Sequence, residues 1–381
     1  MRDAGVPLGG YASVAPTPGQ YGGRRIQSVT PMKNEGPYIL EWVAYHRLIG
    51  INDILIFSND CTDGSDQLLD RLDELGYIRH YGNPSVIMNV ERHHLAVIRY
   101  LNTLSRVHRA DWVVSLDADE FICINTGDGT LDALIEACAG ADVISMNQLN
   151  FGCGGQGDFT DELQIDRFIW AQRYAGGKNP TGQRRGVKSL TRIGAPVVAI
   201  TNHSPRPDPE RSAELTWVNG AGKPLPQEML VKEIKSFGEE LCAYDLVQLN
   251  HYALRSMDSF LTQVFRGNAN HANRAADMSY WRKHNLNEQL DTRIQRWSAP
   301  VKTAIAEMLQ DGELAALHQA TVAHHRAHIE ELKGGQDLSR LRRLVENAHN
   351  RGWPELATTE AGASTSRNAP ASGLRSRPAT A

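Results

Sequence analysis

The sequence contains few cysteines, little net charge and no long apolar run, and each shortage excludes a class of protein. It has five cysteines, an odd number without a C-x-x-C pair, which argues against a disulfide framework and against a zinc site. Its net charge of −4 offers no case for nucleic-acid binding. No stretch approaches the roughly 18 apolar residues that span a bilayer, and residues 1–23 lack the apolar core of a signal peptide. We therefore expect a cytoplasmic α/β protein that binds no nucleic acid.

The composition is that of an ordinary globular protein, with 41% hydrophobic and 22% charged residues among 381. Residues 1–23 are rich in Gly, Pro and Ala and are predicted to be a flexible lead-in. The α/β pattern occupies residues 24–270, and residues 271–352 are predicted to be a helical extension. That extension would pack on the main domain or mediate formation of a homo-oligomer. Residues 353–381 are predicted to be a disordered tail.

Strand and helix patterns alternate three times at the start of the main domain. Strands are predicted in RIQSVTP, DILIFS, YIRHY and WVVSLD. The first helix is predicted in NEGPYILEWVAYHRLIG with Asn34 as its N-cap, the second in DGSDQLLDRLDELG, and the third across residues 92–108. Such alternation is typical of a parallel α/β sheet, whose ligands bind beyond the carboxyl ends of the strands. The segments TPMKNE, SNDCTDG and DADE are therefore expected to gather along one edge.

The segment WVVSLDADEF carries a buried strand into three acids, Asp117, Asp119 and Glu120. Alternate residues of a strand point to the same side, so Asp117 and Asp119 are expected to converge on one cation. Carboxylate oxygens suit Mn²⁺ or Mg²⁺. The alternative is that Asp119 caps a turn and Glu120 is solvated. A phosphatase motif D-x-D-x-[TV] is rejected because Phe121 is the fifth residue, and an EF-hand is rejected because its Gly and Glu positions are not matched.

Later segments continue the pattern. Strands are predicted in ADVISMNQLN, GVKSLTRIG and PVVAI, and LVQLNHYALRS is predicted to be a strand that runs into a helix. The segment FGCGGQGDF follows the first of these strands, and its glycines are expected to permit a mobile lid. It is not a P-loop, because no GK[ST] follows.

Four of these motifs, in this order, resemble those of GT-A glycosyltransferases of the family 2 and family 92 type. The resembling segments span residues 27–267: an Asn-Glu pair after the first strand, SNDCTDGSD after the second, DADEF, and LNHYALRSMDSF near the end. The sequence departs from the family pattern at Cys61, where Asp or Ser is usual, and at FGCGG. The resemblance implies a GT-A fold, which is a Rossmann-like nucleotide-diphospho-sugar transferase fold, with the helical extension at its C-terminus.

The resemblance also implies a set of site residues. Pro31, Glu35 and Asp60 would lie near the nucleotide, and Asp60 could equally serve only turn formation. Asp117 would face the ribose or a metal-bound water, and Asp119 would bind Mn²⁺ or Mg²⁺ directly. His251 matches the position of a late metal ligand, with His203 as its competitor. Lys188 would steady a phosphate, unless it is a solvated lysine at a strand edge.

Inversion at the sugar, which the resemblance favours, requires a carboxylate that deprotonates the acceptor hydroxyl. The candidates beyond the glycine-rich segment are Asp158, Asp161, Glu162 and Asp166. We favour Asp166, with Asp161 as the second choice. The alternative for Asp166 is a structural salt bridge with Arg167.

The predicted function is that of a metal-dependent, inverting hexosyltransferase that uses a nucleotide-diphospho-sugar, with a UDP-sugar favoured. The acceptor would be a glycan or a lipid-linked precursor, which would allow peripheral membrane association. One alternative is an inactive GT-A-fold protein that binds carbohydrate or acts as a scaffold, although both D-x-D acids are present. The other is a nucleotidyltransferase, which the segment MKNEGPYI after the first strand argues against.

Overall fold

The computed structural model describes residues 23–104, 107–174, 184–265 and 278–334. The predicted lead-in, apart from residue 23, and the predicted tail lie outside the described residues. So does the part of the predicted extension that follows residue 334.

The first half of the main domain has the predicted alternation of strands and helices. Its elements are β1 (Ile26–Met32), α1 (Ile39–Leu48), β2 (Asp53–Ser58), α2 (Ser65–Glu74), β3 (Arg79–Gly82), α3 (His93–Leu101) and β4 (Trp112–Ser115). Helix α2 shows how the pattern works, because Leu68, Leu69 and Leu72 share one face and are fully buried. The predicted order of helices and strands in this region is therefore confirmed.

The second half has shorter elements. They are β5 (Glu120–Ile124), α4 (Leu131–Ala137), β6 (Val143–Asn150), α5 (Gln164–Arg167), β7 (Trp170–Ala171), β8 (Arg185–Arg192), β9 (Val197–Ala199), β10 (Arg206–Pro207), β11 (Trp217–Val218), β12 (Ser236–Phe237), β13 (Val247–His251), α6 (Met257–Phe265), α7 (Met278–His284), β14 (Gln289–Leu290), α8 (Ser298–Met308) and α9 (Gly312–Lys333). The four later strand segments predicted from the sequence are confirmed.

The main sheet has the strand order β3-β2-β1-β4-β8-β6-β13-β5. The first four of these strands are parallel, so their carboxyl ends meet at one edge, with Pro31 opposite Phe57 and Met32 opposite Ser58. Strand β8 then enters antiparallel between β4 and β6, and β13 pairs parallel with β6 and antiparallel with β5. The α/β fold and the common edge are confirmed.

Two local predictions were wrong. Asn34 does not cap α1. It has a positive φ of 53°, and its side chain bonds to Thr62 through both the amide nitrogen (3.1 Å) and the amide oxygen (2.8 Å). These bonds tie the loop after β1 to the loop after β2, and α1 is instead preceded by a 3₁₀ turn at Gly36–Tyr38. The third helix ends at Leu101 rather than at residue 108, and a separate 3₁₀ turn follows at Val107–Arg109.

The C-terminal helices pack against the main domain. Helix α8 packs against α1, and α9 packs against α2, α6 and the 3₁₀ turn that precedes α1. Arg71 of α2 forms a two-pronged ion pair with Asp311 at 3.0 and 2.6 Å. Gly36 lies so close to Thr321 that an added Cβ would come within 2.4 Å of the threonine Cβ. Within the described part of the chain, none of the helices combines the length and the apolar character needed to cross a membrane.

Candidate active site

The acids after β4 lie in a tight turn rather than on the strand. Strand β4 ends at Ser115, and Asp117 and Asp119 belong to the connection that leads into β5. Strand alternation is therefore not what brings them together. Glu120 closes the turn: its carboxylate accepts the backbone N–H of Asp117 (2.9 Å), and its own N–H donates to the carbonyl of Asp117 (3.1 Å). Glu120 is fully buried, so the alternative in which it is solvated was wrong.

Lys188 stabilises this turn from β8. Its side chain is fully buried, and its Nζ lies 3.2 Å from Asp117 Oδ2, 3.4 Å from Glu120 Oε2 and 2.7 Å from Asn202 Oδ1. The alternative of a solvated strand-edge lysine was therefore wrong. Burial works to raise the pKa of Asp117, but Lys188 and His94 outweigh it and hold that pKa below its usual range. Burial raises the pKa of Glu120, although Lys188 opposes this effect.

His251 and Asp119 are far apart in the sequence and come together in the fold. His251 ends β13 opposite Glu120, and the N–H of Tyr252 donates to the carbonyl of Asp119 at 2.8 Å. This pairing puts His251 Nε2 3.6 Å from Asp119 Oδ2. Burial opposes charge on both groups, but each charge stabilises the other, so the pKa of Asp119 is lowered and that of His251 is raised. The competitor, His203, instead has its Nδ1 3.2 Å from the carbonyl oxygen of Val187 on β8. We call Asp117, Asp119, Glu120, Lys188 and His251 the strand-end cluster.

The donors of the strand-end cluster fit a divalent cation that takes most of its ligands from a substrate. A carboxylate and an imidazole suit Mn²⁺, and such cations commonly complete their coordination with phosphates and water. Asp119 and His251 supply this pair, whereas Asp117 contacts Lys188. Among the residues described, no group of three His, Cys, Asp or Glu side chains is arranged to hold a metal by itself. The predicted metal roles of Asp117, Asp119 and His251 stay predictions.

The predicted nucleotide side of the site lies at the ends of β1 and β2. Pro31 is half-buried on β1, and Asp60 is exposed after β2 with a positive φ of 46°. Two histidines that sequence reasoning missed begin α3 here. His93 Nε2 lies 3.5 Å from Asp60, and His94 Nε2 lies 3.3 Å from Asp117. Asp60 and Asp117 are thus linked through two neighbouring residues of α3. The two adjacent histidines of the segment ERHH are the sequence feature that could have identified them.

Glu35 is held by an arginine that the sequence analysis also missed. Arg255 Nη1 donates to the Glu35 carboxylate at 2.7 Å, and its Nε donates to Gln164 at 2.7 Å. Its guanidinium lies 3.6 Å from the centre of the Tyr38 ring, and Nη2 is 3.4 Å from the carbonyl of Ala118 inside the acid turn. Arg255 therefore links Glu35 to the turn that contains Asp117 and Asp119. It occupies the Lys/Arg position of the LNHYALRSMDSF motif, which could have identified it.

The predicted general bases line a separate space. A cleft of about 950 Å³ lies between the start of α1, the segment around α5, and helices α8 and α9; we call it the helix cleft. Asp161 and Asp166 line it, whereas Asp117, Asp119 and His251 do not.

Two carboxylates of the helix cleft, Asp161 and Asp166, face the C-terminal helices. Asp166 accepts from Lys302 Nζ at 2.6 Å and from the Ser298 hydroxyl, and Asp161 lies 3.8 Å from His318. Arg167, the predicted structural partner of Asp166, instead reaches Glu162 at 3.9 Å. Of the two other candidate bases, Glu162 also lines the helix cleft and Asp158 does not. Both are exposed, as is Asp161. The roles of these acids stay predictions.

Comparison with known proteins finds one sequence family that matches part of the chain. Residues 26–168 match the sequence family described as glycosyltransferase family 92, which confirms the resemblance seen in the motifs. No protein of curated function matches the sequence.

Several solved structures are similar at low identity. Glucosyl-3-phosphoglycerate synthase from Mycobacterium tuberculosis, in complex with Mn²⁺, UDP and glucosyl-3-phosphoglycerate, is 20% identical over 33% of this chain and 44% of that chain, with a TM-score of 0.24. Mannosyl-3-phosphoglycerate synthase from Rubrobacter xylanophilus is 18% identical over 36% and 44%, with a TM-score of 0.24. S. aureus TarS 1–349 is 14% identical over 82% and 92%, with a TM-score of 0.25. The chain spans less than half the length of the two synthases.

Proposed function

We propose that this chain, a glycosyltransferase of the GT-A family 92-like type, moves a hexose from a nucleotide-diphospho-sugar to a glycan or lipid-linked acceptor with inversion at the sugar. A UDP-sugar is the favoured donor. The observation that carries the proposal is the approach of His251 Nε2 to within 3.6 Å of Asp119 at the edge where β1, β2 and β4 end. Such an edge is where open α/β sheets bind nucleotides.

Asp119 and His251 would hold Mn²⁺ or Mg²⁺, with Asp117 facing the ribose or a metal-bound water. The cation would neutralise charge on the departing nucleoside diphosphate. Lys188 and Glu120 keep Asp117 in place, so Lys188 supports the site through Asp117. This arrangement favours a positioning role for Lys188 over the direct phosphate contact that the resemblance implies. Pro31, Glu35 and Asp60 would border the nucleotide.

Asp166, and after it Asp161, remain our proposed general bases. Their place in the helix cleft makes that cleft the proposed route of the acceptor, because a base must lie within hydrogen-bond reach of the hydroxyl that it deprotonates. The domain division at residue 270, self-association through the extension, cytoplasmic location and peripheral membrane association remain proposals of the same kind.

The test is calorimetric titration of UDP into the protein with Mn²⁺, repeated with EDTA and on Asp119→Ala and Asp119→Asn. We expect binding that requires the metal and that both substitutions abolish, because they remove a charged ligand. Asp128→Asn, in the exposed turn before α4, is the control. If UDP and the other nucleoside diphosphates all fail to bind folded wild-type protein with Mn²⁺ present, the active-transferase proposal is wrong.

A further inference from the structure

We propose that Asn150 and His284 are positioning residues that orient the imidazole of His251 so that its Nε2 faces Asp119. The inference rests on the proposed function in one respect, which is the role of His251 as a metal ligand. It goes further by assigning roles to two residues that have none in that proposal, one of them from the C-terminal extension.

The register of the sheet puts Asn150 beside His251. Strands β6 and β13 are parallel, and Asn150 is the pairing partner of His251 at their ends. Asn150 Oδ1 accepts a hydrogen bond from His251 Nδ1 at 2.9 Å. Asn150 Nδ2 donates to Gln172 Oε1 at 3.2 Å, and Oδ1 is the atom that faces the imidazole.

The same oxygen accepts a second hydrogen bond. His284, the last residue of α7, places its Nδ1 3.1 Å from Asn150 Oδ1. The two imidazole rings lie nearly perpendicular, with centroids 5.2 Å apart. An amide oxygen has two lone pairs and can accept both bonds, which pins Asn150 between the two rings.

The geometry determines which nitrogen of His251 carries the proton. An amide oxygen can only accept, so the proton of the neutral imidazole lies on Nδ1 and the lone pair lies on Nε2. His251 Nε2 is the atom that faces Asp119. A histidine that binds a metal commonly donates its other ring N–H to a fixed acceptor, which orients the ring and selects the tautomer. Asn150 is such an acceptor.

His284 belongs to a short segment that holds the loop after β6. Asn285 Oδ1 accepts the N–H of Cys153 at 3.0 Å, and Asn287 Oδ1 accepts the N–H of Gly154 at 2.9 Å. We call His284–Asn287 the clasp. The clasp thus contacts Asn150 and holds the first part of the glycine-rich loop, at Cys153 and Gly154, through hydrogen bonds. The loop that was expected to be a mobile lid is therefore anchored at its N-terminal end. Through the clasp, the C-terminal extension contributes to the active site rather than only covering the main domain.

The test compares Asn150→Ala, His284→Ala and the control Arg282→Ala, which alters an exposed residue of α7. The first readout is the affinity for Mn²⁺ at saturating UDP. It is measured from the electron paramagnetic resonance signal of free Mn²⁺. We expect Asn150→Ala to weaken Mn²⁺ binding roughly 10- to 100-fold, as is typical when the acceptor behind a metal-binding histidine is lost. His284→Ala should have a smaller effect, and Arg282→Ala none.

The second readout needs neither metal nor substrate. In protein labelled with ¹⁵N-histidine at alkaline pH, the His251 resonances, assigned with His251→Gln, should report the Nδ1–H tautomer. Asn150→Ala should convert them to a mixture of tautomers, and Asn150→Asp, which keeps an acceptor at the same place, should restore Nδ1–H. A residue that only supports the fold would lower the melting temperature without changing the tautomer.

The outcomes separate this inference from the proposed function. If wild-type protein binds no Mn²⁺ with UDP, the metal role of His251 fails, and the tautomer measurement alone decides whether Asn150 positions the ring. If Asn150→Ala leaves both the Mn²⁺ affinity and the tautomer unchanged, the positioning role is wrong. Should Asn150→Ala not fold, a wild-type result for Asn150→Leu or His284→Ala in both readouts would overturn it.

Discussion

Two lysine–carboxylate contacts, one in each part of the proposed site, show that burial matters more than distance. Lys302 Nζ lies only 2.6 Å from Asp166 in the helix cleft, but 62% of its side chain is exposed. Lys188 Nζ lies farther from its partners, at 3.2 and 3.4 Å, yet its side chain and that of Glu120 are fully buried. Water screens the first pair, whereas the second cannot lose a partner without leaving a charge in the interior. Loss of a partner is therefore expected to cost more stability in the strand-end cluster than in the helix cleft.

The largest expected effect is a loss of kcat on substitution of Asp166. Such a loss would show that the helix cleft takes part in the reaction, although its ion pair is exposed. If Asp166 is the general base, Asp166→Asn should lower kcat by about 100- to 10,000-fold while the melting temperature stays near that of wild type. Asp161→Asn is the matched comparison. The measurement is the release of UDP during transfer, with a donor and an acceptor found by screening. Near wild-type kcat in both variants would remove these acids from the mechanism and limit the helix cleft to binding.

The contrast itself predicts unequal losses of stability. Lys188→Met should lower the free energy of unfolding by about 3–5 kcal/mol, because it leaves buried Glu120 and the nearby Asp117 without their cation. Lys302→Met should produce no measurable change. Urea denaturation of both variants measures this. Equal shifts would mean that burial does not separate the two contacts. A Lys188→Met, Glu120→Gln double variant should recover part of the loss, since it removes the stranded charge as well.

A third prediction sharpens the contrast through pH. Glu41 lines the helix cleft, and burial raises its pKa from 4.5 to about 7, even though the backbone N–H groups of Gln164 and Ile165 donate to it. Between these values the folded protein holds a proton that the unfolded chain has released. The free energy of unfolding should therefore fall as pH rises from 4.5 to 7, by at most about 3 kcal/mol.

Asp119 should act in the opposite sense. Its pKa is lowered, so the stability that it contributes is lost as pH falls below its ordinary value of 3.8. Urea denaturation of wild type and Glu41→Gln, from pH values below 3.8 up to pH 7, measures how stability changes in each part of the range. The loss of stability between pH 4.5 and 7 should disappear in Glu41→Gln. An unchanged slope in that variant would assign the pH dependence to other groups.

The smallest expected effect concerns the loop that joins the two regions. A Cβ at Gly152 would lie 2.2 Å from Asn287 Oδ1, an atom of the clasp, whereas a Cβ at Gly157 would meet nothing within 4 Å. Gly152→Ala should therefore cost about 1–3 kcal/mol of unfolding free energy. Gly157→Ala should be neutral or slightly stabilising, because alanine restricts the unfolded chain. Thermal unfolding of the two variants measures the difference. Equal melting temperatures would show that Asn287 can move away from the added methyl group without loss of stability.

Sequence reasoning succeeded where local pattern and a general rule of topology were sufficient. The alternation of β1, β2 and β4 with α1 to α3 follows from apolar periodicity. A parallel arrangement then brings Asp60 and Asp117 to one edge whatever the rest of the fold does. It failed at Asn34 because a cap is a local assumption. A partner from another loop, Thr62, decided the outcome there.

The sequence by itself determined the fold class, the common edge of the strands and the acids that stand there, because each depends on neighbours along the chain. Only the tertiary structure decided what those acids contact. The insertion of β8 beside β4 buries Lys188 under Asp117, and the pairing of β13 with β5 and β6 joins His251 to Asp119 and Asn150. The packing of α8 places Lys302 and Ser298 against Asp166. These contacts join residues far apart in the chain, and no local periodicity records which strand will lie beside which.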